Sequence, residues 1–199
     1  MKKKLLIALS GLIILASCST PSASKKVLIV GRGKITAKDN KVTMTDGSGY
    51  AEETVEVSED KPVSWSVTTP TGTTTVNIPE GAGFYLLNLK TDTIVGSQQN
   101  LGSDLGGRTI TQEELKAKID SLVKLTTGAN VSATSHNYFI IPNQLAKVSS
   151  NSNAKIFGPF TKIPGSIEAD KDGQAPEVYK FYTNSEMRDL IVRLKKNTI

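Results

Sequence analysis

The sequence has few of the residues from which enzymes and metalloproteins build their sites. Its 199 residues include one cysteine, one histidine and one tryptophan, and aromatic residues make up 6% of the chain. A single cysteine excludes an intrachain disulfide, so an exported form of this chain depends on its hydrophobic core. A single histidine, His136, excludes a histidine-rich metal site and any catalytic triad that does not include it. We expect His136 to lie on the surface, at the start of a strand.

Two short motifs resemble catalytic or phosphate-binding sequences but lack the rest of those patterns. Ser121 and Lys124 have the S-x-x-K spacing of penicillin-recognising enzymes, without the S-D-N and K-T-G motifs that accompany it. The segment 31–34, Gly-Arg-Gly-Lys, lacks the Walker spacing, and no helical pattern follows it. We interpret it as a turn or bulge between strands. The sequence therefore predicts no nucleophile–base pair and no cofactor.

An acidic segment imitates the start of a calcium loop. Glu168, Asp170 and Asp172 alternate before Gly173, a spacing that directs carboxylates toward one centre. The first position is Glu where such loops have Asp, the twelfth is Tyr179, and no helix precedes the segment. We interpret it as a solvated polar loop and predict no metal site there.

The first eighteen residues carry the most specific signal in the chain. Three lysines precede an apolar run over 5–16, which is shorter than the roughly 20 residues of a membrane-spanning helix and is typical of a signal peptide. The run ends in Leu15-Ala16-Ser17-Cys18, which resembles the lipobox of bacterial lipoproteins. This resemblance implies that the signal peptide 1–17 is removed and that Cys18 carries acyl chains such as palmitate. Two or three chains hold a protein stably at a membrane.

The residues after Cys18 indicate where such an anchor would place the protein. Ser19 resembles the outer-membrane default of Gram-negative lipoproteins, in which Asp favours inner-membrane retention. The segment 19–26 contains no acidic residue, so we predict an outer-membrane protein facing the periplasm in a Gram-negative cell. Together with Cys18 this segment forms a polar tether (18–26). The eight residues 19–26 reach at most about 26–29 Å.

Charge gives no support to a nucleic-acid partner. Removing Lys2, Lys3 and Lys4 from the 24 basic residues leaves 21, against 19 acidic ones. No block of basic residues with interleaved aromatics is present, and we predict no nucleic-acid binding. Cleavage after residue 17 leaves 182 of the 199 residues, enough for one domain or two small ones.

The pattern of apolar residues predicts an α+β fold. Alternating and apolar runs recur about every ten residues, with a turn at 45–50, and Thr111 and Thr183 each begin a capping box before an amphipathic helix. Residues 146–154 are polar and turn-like. We predict a β-rich antiparallel sandwich or barrel-like half (27–107), followed by strands with two helices (108–199), or one continuous domain over 27–199. The predicted strands lie at 27–30, 53–57, 63–67, 72–78, 84–89, 92–97, 137–142, 155–160 and 177–183.

These observations favour a lipid-anchored cell-envelope protein, with a non-catalytic domain that binds or scaffolds an envelope protein or a glycan. A pair of exposed aromatic residues would favour the glycan, but we expect Trp65, the only tryptophan, to face the core. Two alternatives stay open at this point. One is an envelope hydrolase whose Asp or Glu residues meet only in the fold, at the separation found in glycosidases. The other is a carrier of an apolar ligand inside a β cavity.

Overall fold

The computed structural model describes residues 24–59, 61–100, 110–132, 134–169 and 175–196. Ten strands and two helices are present in this part of the chain. The helices are α1 Gln112–Thr126 and α2 Asn184–Lys196. The strands are β1 Lys25–Lys38, β2 Lys41–Val57, β3 Val63–Thr69, β4 Gly72–Ile78, β5 Gly83–Asn88, β6 Ile94–Gln99, β7 Asn137–Ile140, β8 Leu145–Ser149, β9 Lys155–Phe157 and β10 Val178–Thr183.

The strands form two sheets, and the larger one is nearly closed into a barrel. Its order is β4-β3-β2-β1-β5-β8, and its edge strands β4 and β8 approach each other. The smaller sheet has the order β7-β6-β10-β9. The predicted α+β class is confirmed, but the sheets are not antiparallel throughout. Among the described strands, β1 pairs with β5, β2 with β3 and β9 with β10 in parallel.

The central strands are apolar on both faces because each face is buried in a different cluster. Val27 and Ile29 of β1 point into the barrel-like sheet, where Trp65 and Tyr85 also lie. Leu28 and Val30 face the smaller sheet. A strand buried on both faces has a continuous apolar sequence, which explains the runs at 27–30 and 84–87.

The two helices cover the far face of the smaller sheet. Ile119 of α1 and Met187 and Ile191 of α2 pack with Val95 of β6. Both predicted capping boxes are confirmed. Thr111 Oγ1 accepts from Glu114 N at 3.2 Å, and Thr183 Oγ1 accepts from Glu186 N at 3.1 Å. No helix in the described residues is long and apolar enough to cross a membrane.

Two local predictions are wrong. Residues 45–50, predicted as a turn, lie within β2, and the β1–β2 hairpin turns instead at Asp39 and Asn40, whose φ values of 49° and 60° suit a tight turn of the primed type. The segment 146–154 was predicted to be turn-like, yet its first residues belong to β8, which pairs with β5. There Ser149 is buried, and its hydroxyl is satisfied by donating to Glu177 at 2.8 Å.

The structure differs from the predicted segment boundaries at the start of the folded part. Lys25 and Lys26, assigned to the tether, are the first residues of β1. The boundary at 107–108 lies outside the described residues. Strands from both halves of the chain share both sheets, since β8 pairs with β5, and β6 pairs with β7 and β10.

Candidate functional site: an aromatic cleft between the sheets and helix α2

A cleft of about 530 Å³ opens where the barrel-like sheet meets the start of α2. Its walls come from separate parts of the chain: the middle of the β1–β2 hairpin, the β3–β4 turn, the loop after β5, the loop after β7 and the turn 158–161. Polar and apolar residues both line it. Its lining includes Arg32, Asp46, Tyr50, Thr71, Lys90, Asp92, Asn143, Phe160 and Glu186.

A wide irregularity in the β1–β2 pairing builds one wall of this cleft. Arg32 pairs with Tyr50 and Lys34 with Thr45, so Gly33 alone stands opposite the four residues 46–49. Gly33 has φ 97°, and a Cβ there would lie 1.9 Å from the Thr45 carbonyl oxygen. Only glycine fits this close approach. The Gly-Arg-Gly-Lys motif therefore lies at a bulge in the pairing between β1 and β2, one of the two structures predicted for it.

A stacked aromatic pair lies in the cleft. The rings of Tyr50 and Phe160 stack with centroids 4.1 Å apart and planes inclined by 11°. Phe160 is half-buried against the core, but 64% of the Tyr50 surface is exposed. The exposed Tyr50 ring, supported by Phe160, offers a flat surface on which a ligand can lie.

Two charged side chains hold the turn that carries Phe160. Glu52 accepts hydrogen bonds from Phe160 N at 2.7 Å and from Thr161 Oγ1 at 2.5 Å. From β10, the buried Lys180 donates through Nζ to the carbonyl oxygens of Gly158 at 2.6 Å and Thr161 at 2.8 Å. The turn is thus tied to both sheets, which fixes the position of the Phe160 ring.

Lys90 lies beside the aromatic pair. Its Nζ is 4.5 Å from the centroid of each ring, within the range of a cation–π interaction. Burial lowers the pKa of Lys90, the positive charge of Arg32 lowers it further, and Glu186 and Asp92 oppose the shift. The loop carrying Lys90 is held by Asn88, whose Nδ2 donates to Asp92 O and Ile140 O and whose Oδ1 accepts from Lys90 N, all at 2.9 Å.

The carboxylates Asp92 and Glu186 cap helix α2. Asp92 Oδ2 accepts from Ser185 N at 3.3 Å and from Ser185 Oγ at 2.9 Å. Glu186 Oε2 accepts from Thr183 N at 3.0 Å and completes the capping box. Both groups already serve the helix terminus, where the helix dipole stabilises negative charge.

The structure places the sequence-predicted residues away from this cleft or outside the described part of the chain. Cys18, Asp170 and Asp172 lie outside the described residues. Glu168 is exposed, and the described residues contain no group of three or more His, Cys, Asp or Glu that could hold a metal ion. His136 is exposed in a turn before β7, with φ 49°. The pair Ser121 and Lys124 lies on the exposed side of α1.

A second polar cluster, not predicted from the sequence, lies between β8 and β10. Glu177 accepts hydrogen bonds from the hydroxyls of Ser149 and Tyr179, and Tyr138 stands edge-on to Tyr179 with centroids 5.9 Å apart. Burial raises the pKa of Tyr179, and the hydrogen bond to Glu177 raises it further. This cluster joins the two sheets.

The cleft residues were missed because they are ordinary residue types far apart in sequence. Tyr50 follows a glycine-rich polar stretch and Phe160 follows Gly-Pro, and an aromatic residue beside such segments was the available signal. No family model, curated protein or solved structure matches this chain.

Proposed function

We propose that this chain is a lipid-anchored cell-envelope protein whose folded part is a non-catalytic binding or scaffolding module, with its ligand or partner in the aromatic cleft. The observation that carries the proposal is the Tyr50–Phe160 pair, in which the exposed Tyr50 ring stacks in a mixed polar and apolar cleft on Phe160, whose turn is held from both sheets. Concave sites that combine apolar surface with a few placed polar groups are where ligands usually bind.

The arrangement of the acidic residues weighs against the hydrolase alternative. Asp92 accepts hydrogen bonds from Ser185 of α2, and Glu186 accepts one from Thr183 N, just before the helix begins. The third acidic residue of the cleft, Asp46, is exposed on β2. Because Asp92 and Glu186 are already engaged in capping α2, we favour binding over hydrolysis.

The packing of the barrel-like sheet weighs against the carrier alternative. Among the described residues, thirteen buried apolar ones fill its interior, including Trp65 and Tyr85 with 3% and 1% of their surface exposed. An apolar ligand would have to displace these side chains, at a cost comparable to overpacking a core.

The anchor in this proposal rests on the lipobox resemblance of residues 1–18. If Cys18 is acylated, the six residues 19–24 separate it from β1, which begins at Lys25. They reach at most about 20–22 Å. The domain would then work close to the membrane, on the periplasmic side of the outer membrane in a Gram-negative cell, and would meet envelope components.

In-cell photo-crosslinking tests the binding function. A photo-reactive amino acid placed at Thr71, which is exposed and lines the cleft, should capture a defined partner, whereas the same group at Lys118, exposed on α1, should not. Tyr50→Ala should reduce capture from Thr71. Equal capture from the two positions, or none from Thr71, would contradict binding in the cleft.

A further inference from the structure

We propose that the aromatic cleft binds a neutral glycan, with one sugar ring lying on Tyr50. This inference rests on the proposed binding function and names the chemistry of the ligand. It is carried by three features of the described residues: the stacked aromatic pair, the mixture of hydrogen-bond donors and acceptors around it, and the near balance of charge in the cleft.

The aromatic pair offers a preorganised surface for a sugar ring. The face of an aromatic ring is negative, so it attracts the slightly positive C–H groups on the apolar face of a pyranose. Tyr50 is held nearly parallel to Phe160, and Phe160 is fixed in turn by Glu52. A ring that is already in place loses little conformational freedom when a ligand binds, which favours affinity.

The polar residues of the cleft match hydroxyl groups. Each sugar hydroxyl both donates and accepts, and it is satisfied best where donors and acceptors lie close together. Arg32 and Lys90 supply donors, Asp46 supplies acceptors, and the Asn143 amide supplies both. The exposed Asp46 and Asn143 have their side chains at the rim.

The charges in the cleft favour an uncharged ligand. Two cations, Arg32 and Lys90, are opposed by the three carboxylates of Asp46, Asp92 and Glu186. An anionic ligand would meet these carboxylates, and a cationic ligand would meet Arg32 and Lys90. The cleft volume of about 530 Å³ lies within the range of roughly 300–1,000 Å³ that is usual for ligand pockets.

Binding to defined oligosaccharides tests this inference. The full-length protein, solubilised in detergent, is applied to an array of neutral hexose oligosaccharides beside matched oligosaccharides that contain uronic acids. We expect binding to neutral members, weakened about tenfold or more by Tyr50→Ala, which corresponds to the loss of an aromatic contact. Tyr50→Phe keeps the ring and should bind within a few-fold of the wild type. Val192→Ala, an exposed apolar residue on α2, is the matched control and should bind as the wild type does.

Several results would overturn the inference: no binding to the neutral oligosaccharides, preference for the uronic-acid set, or binding that Tyr50→Ala leaves unchanged. If Tyr50→Ala melts at a lower temperature than the wild type, Arg32→Met replaces it and should likewise weaken binding, since Arg32 is exposed and this substitution removes a donor while keeping both aromatic rings. If the crosslinking experiment captures a protein from Thr71 and the array shows no glycan binding, the proposed binding function stands and the glycan inference is wrong. If both experiments fail, both proposals are wrong.

Discussion

Lys25 and Lys180 are buried lysines whose amines donate to backbone carbonyl oxygens. Lys25 Nζ lies 2.5 Å from the Lys61 oxygen, and Lys180 Nζ bonds two carbonyls of the turn that carries Phe160. Burial lowers the pKa of Lys180, and the negative charges of Glu52 and Glu186 oppose that shift. The amine therefore has two effects, since its hydrogen bonds hold the turn while its charge is costly to bury.

Replacing Lys180 with Met should destabilise the fold by about 1–3 kcal/mol, because Met fills a similar volume but leaves two carbonyl groups without their donor. Urea denaturation measures this change. Lys155→Met is the matched control, since Lys155 is exposed on β9, and it should change the stability by about 0.5 kcal/mol or less. Equal stability of the two variants would show that the turn does not depend on the buried amine.

The raised pKa values of four tyrosines allow a prediction of how stability changes at alkaline pH. Burial raises their pKa values above 10.0, so the folded state keeps protons that the unfolded state loses, and the free energy of unfolding falls as pH rises past 10.0. The lowered pKa values of Lys90 and Lys180 make the free energy of unfolding rise with pH, but only below pH 10.5. These tyrosines are Tyr85, Tyr138, Tyr179 and Tyr182.

Above pH 10.5 the tyrosine effect should therefore dominate, and urea midpoints should decrease together with the onset of tyrosinate absorbance. Tyr179→Phe removes the phenol that also donates to Glu177, and its stability should fall less steeply with pH than that of the wild type. A flat pH dependence of the wild type between 10.5 and alkaline unfolding would contradict this prediction.

At the scale of elements, the sequence predicts what depends on local pattern and misses what depends on pairing. Both capping boxes and the apolar runs at 27–30 and 84–89 are correct, because caps and buried strands have local signatures. The segment 45–50 has the composition of a turn, but Gly33 on the partner strand allows the extra residues to bulge out while the hairpin continues to Asp39 and Asn40. Composition alone does not reveal the register of a partner strand.

The bulge gives a prediction with an internal control. Gly33→Ala places a Cβ 1.9 Å from Thr45 O at a positive φ and should cost about 1–3 kcal/mol or more. Gly49→Ala, in the same bulge, meets nothing within 4 Å and should be nearly neutral. Urea denaturation compares the two, and similar losses would show that the bulge does not constrain Gly33. Because Arg32 and Tyr50 flank the bulge, Gly33→Ala should also weaken ligand binding.

At the scale of the whole molecule, the cleft exists because distant segments of the chain meet. Tyr50 comes from the barrel-like sheet and Phe160 from a turn that Lys180 ties to the smaller sheet. Neither sheet alone forms the stacked pair. This is why the sequence motifs around His136, around Ser121 and Lys124, and around Glu168 gave no indication of the cleft, since the aromatic pair has no local signature. The predicted lipid anchor has the opposite character, since the pattern that predicts it is local and lies in residues 1–18.

We propose that this domain works from a membrane, held by acyl chains on Cys18. Labelling cells with an alkyne fatty acid, followed by membrane fractionation, tests this proposal. The wild type should carry the label and sediment with membranes, and Cys18→Ala should be unlabelled and either soluble or unprocessed. A Cys18→Ala protein that retains the label, or that is processed and stays with the membranes as the wild type does, would contradict lipid anchoring through Cys18.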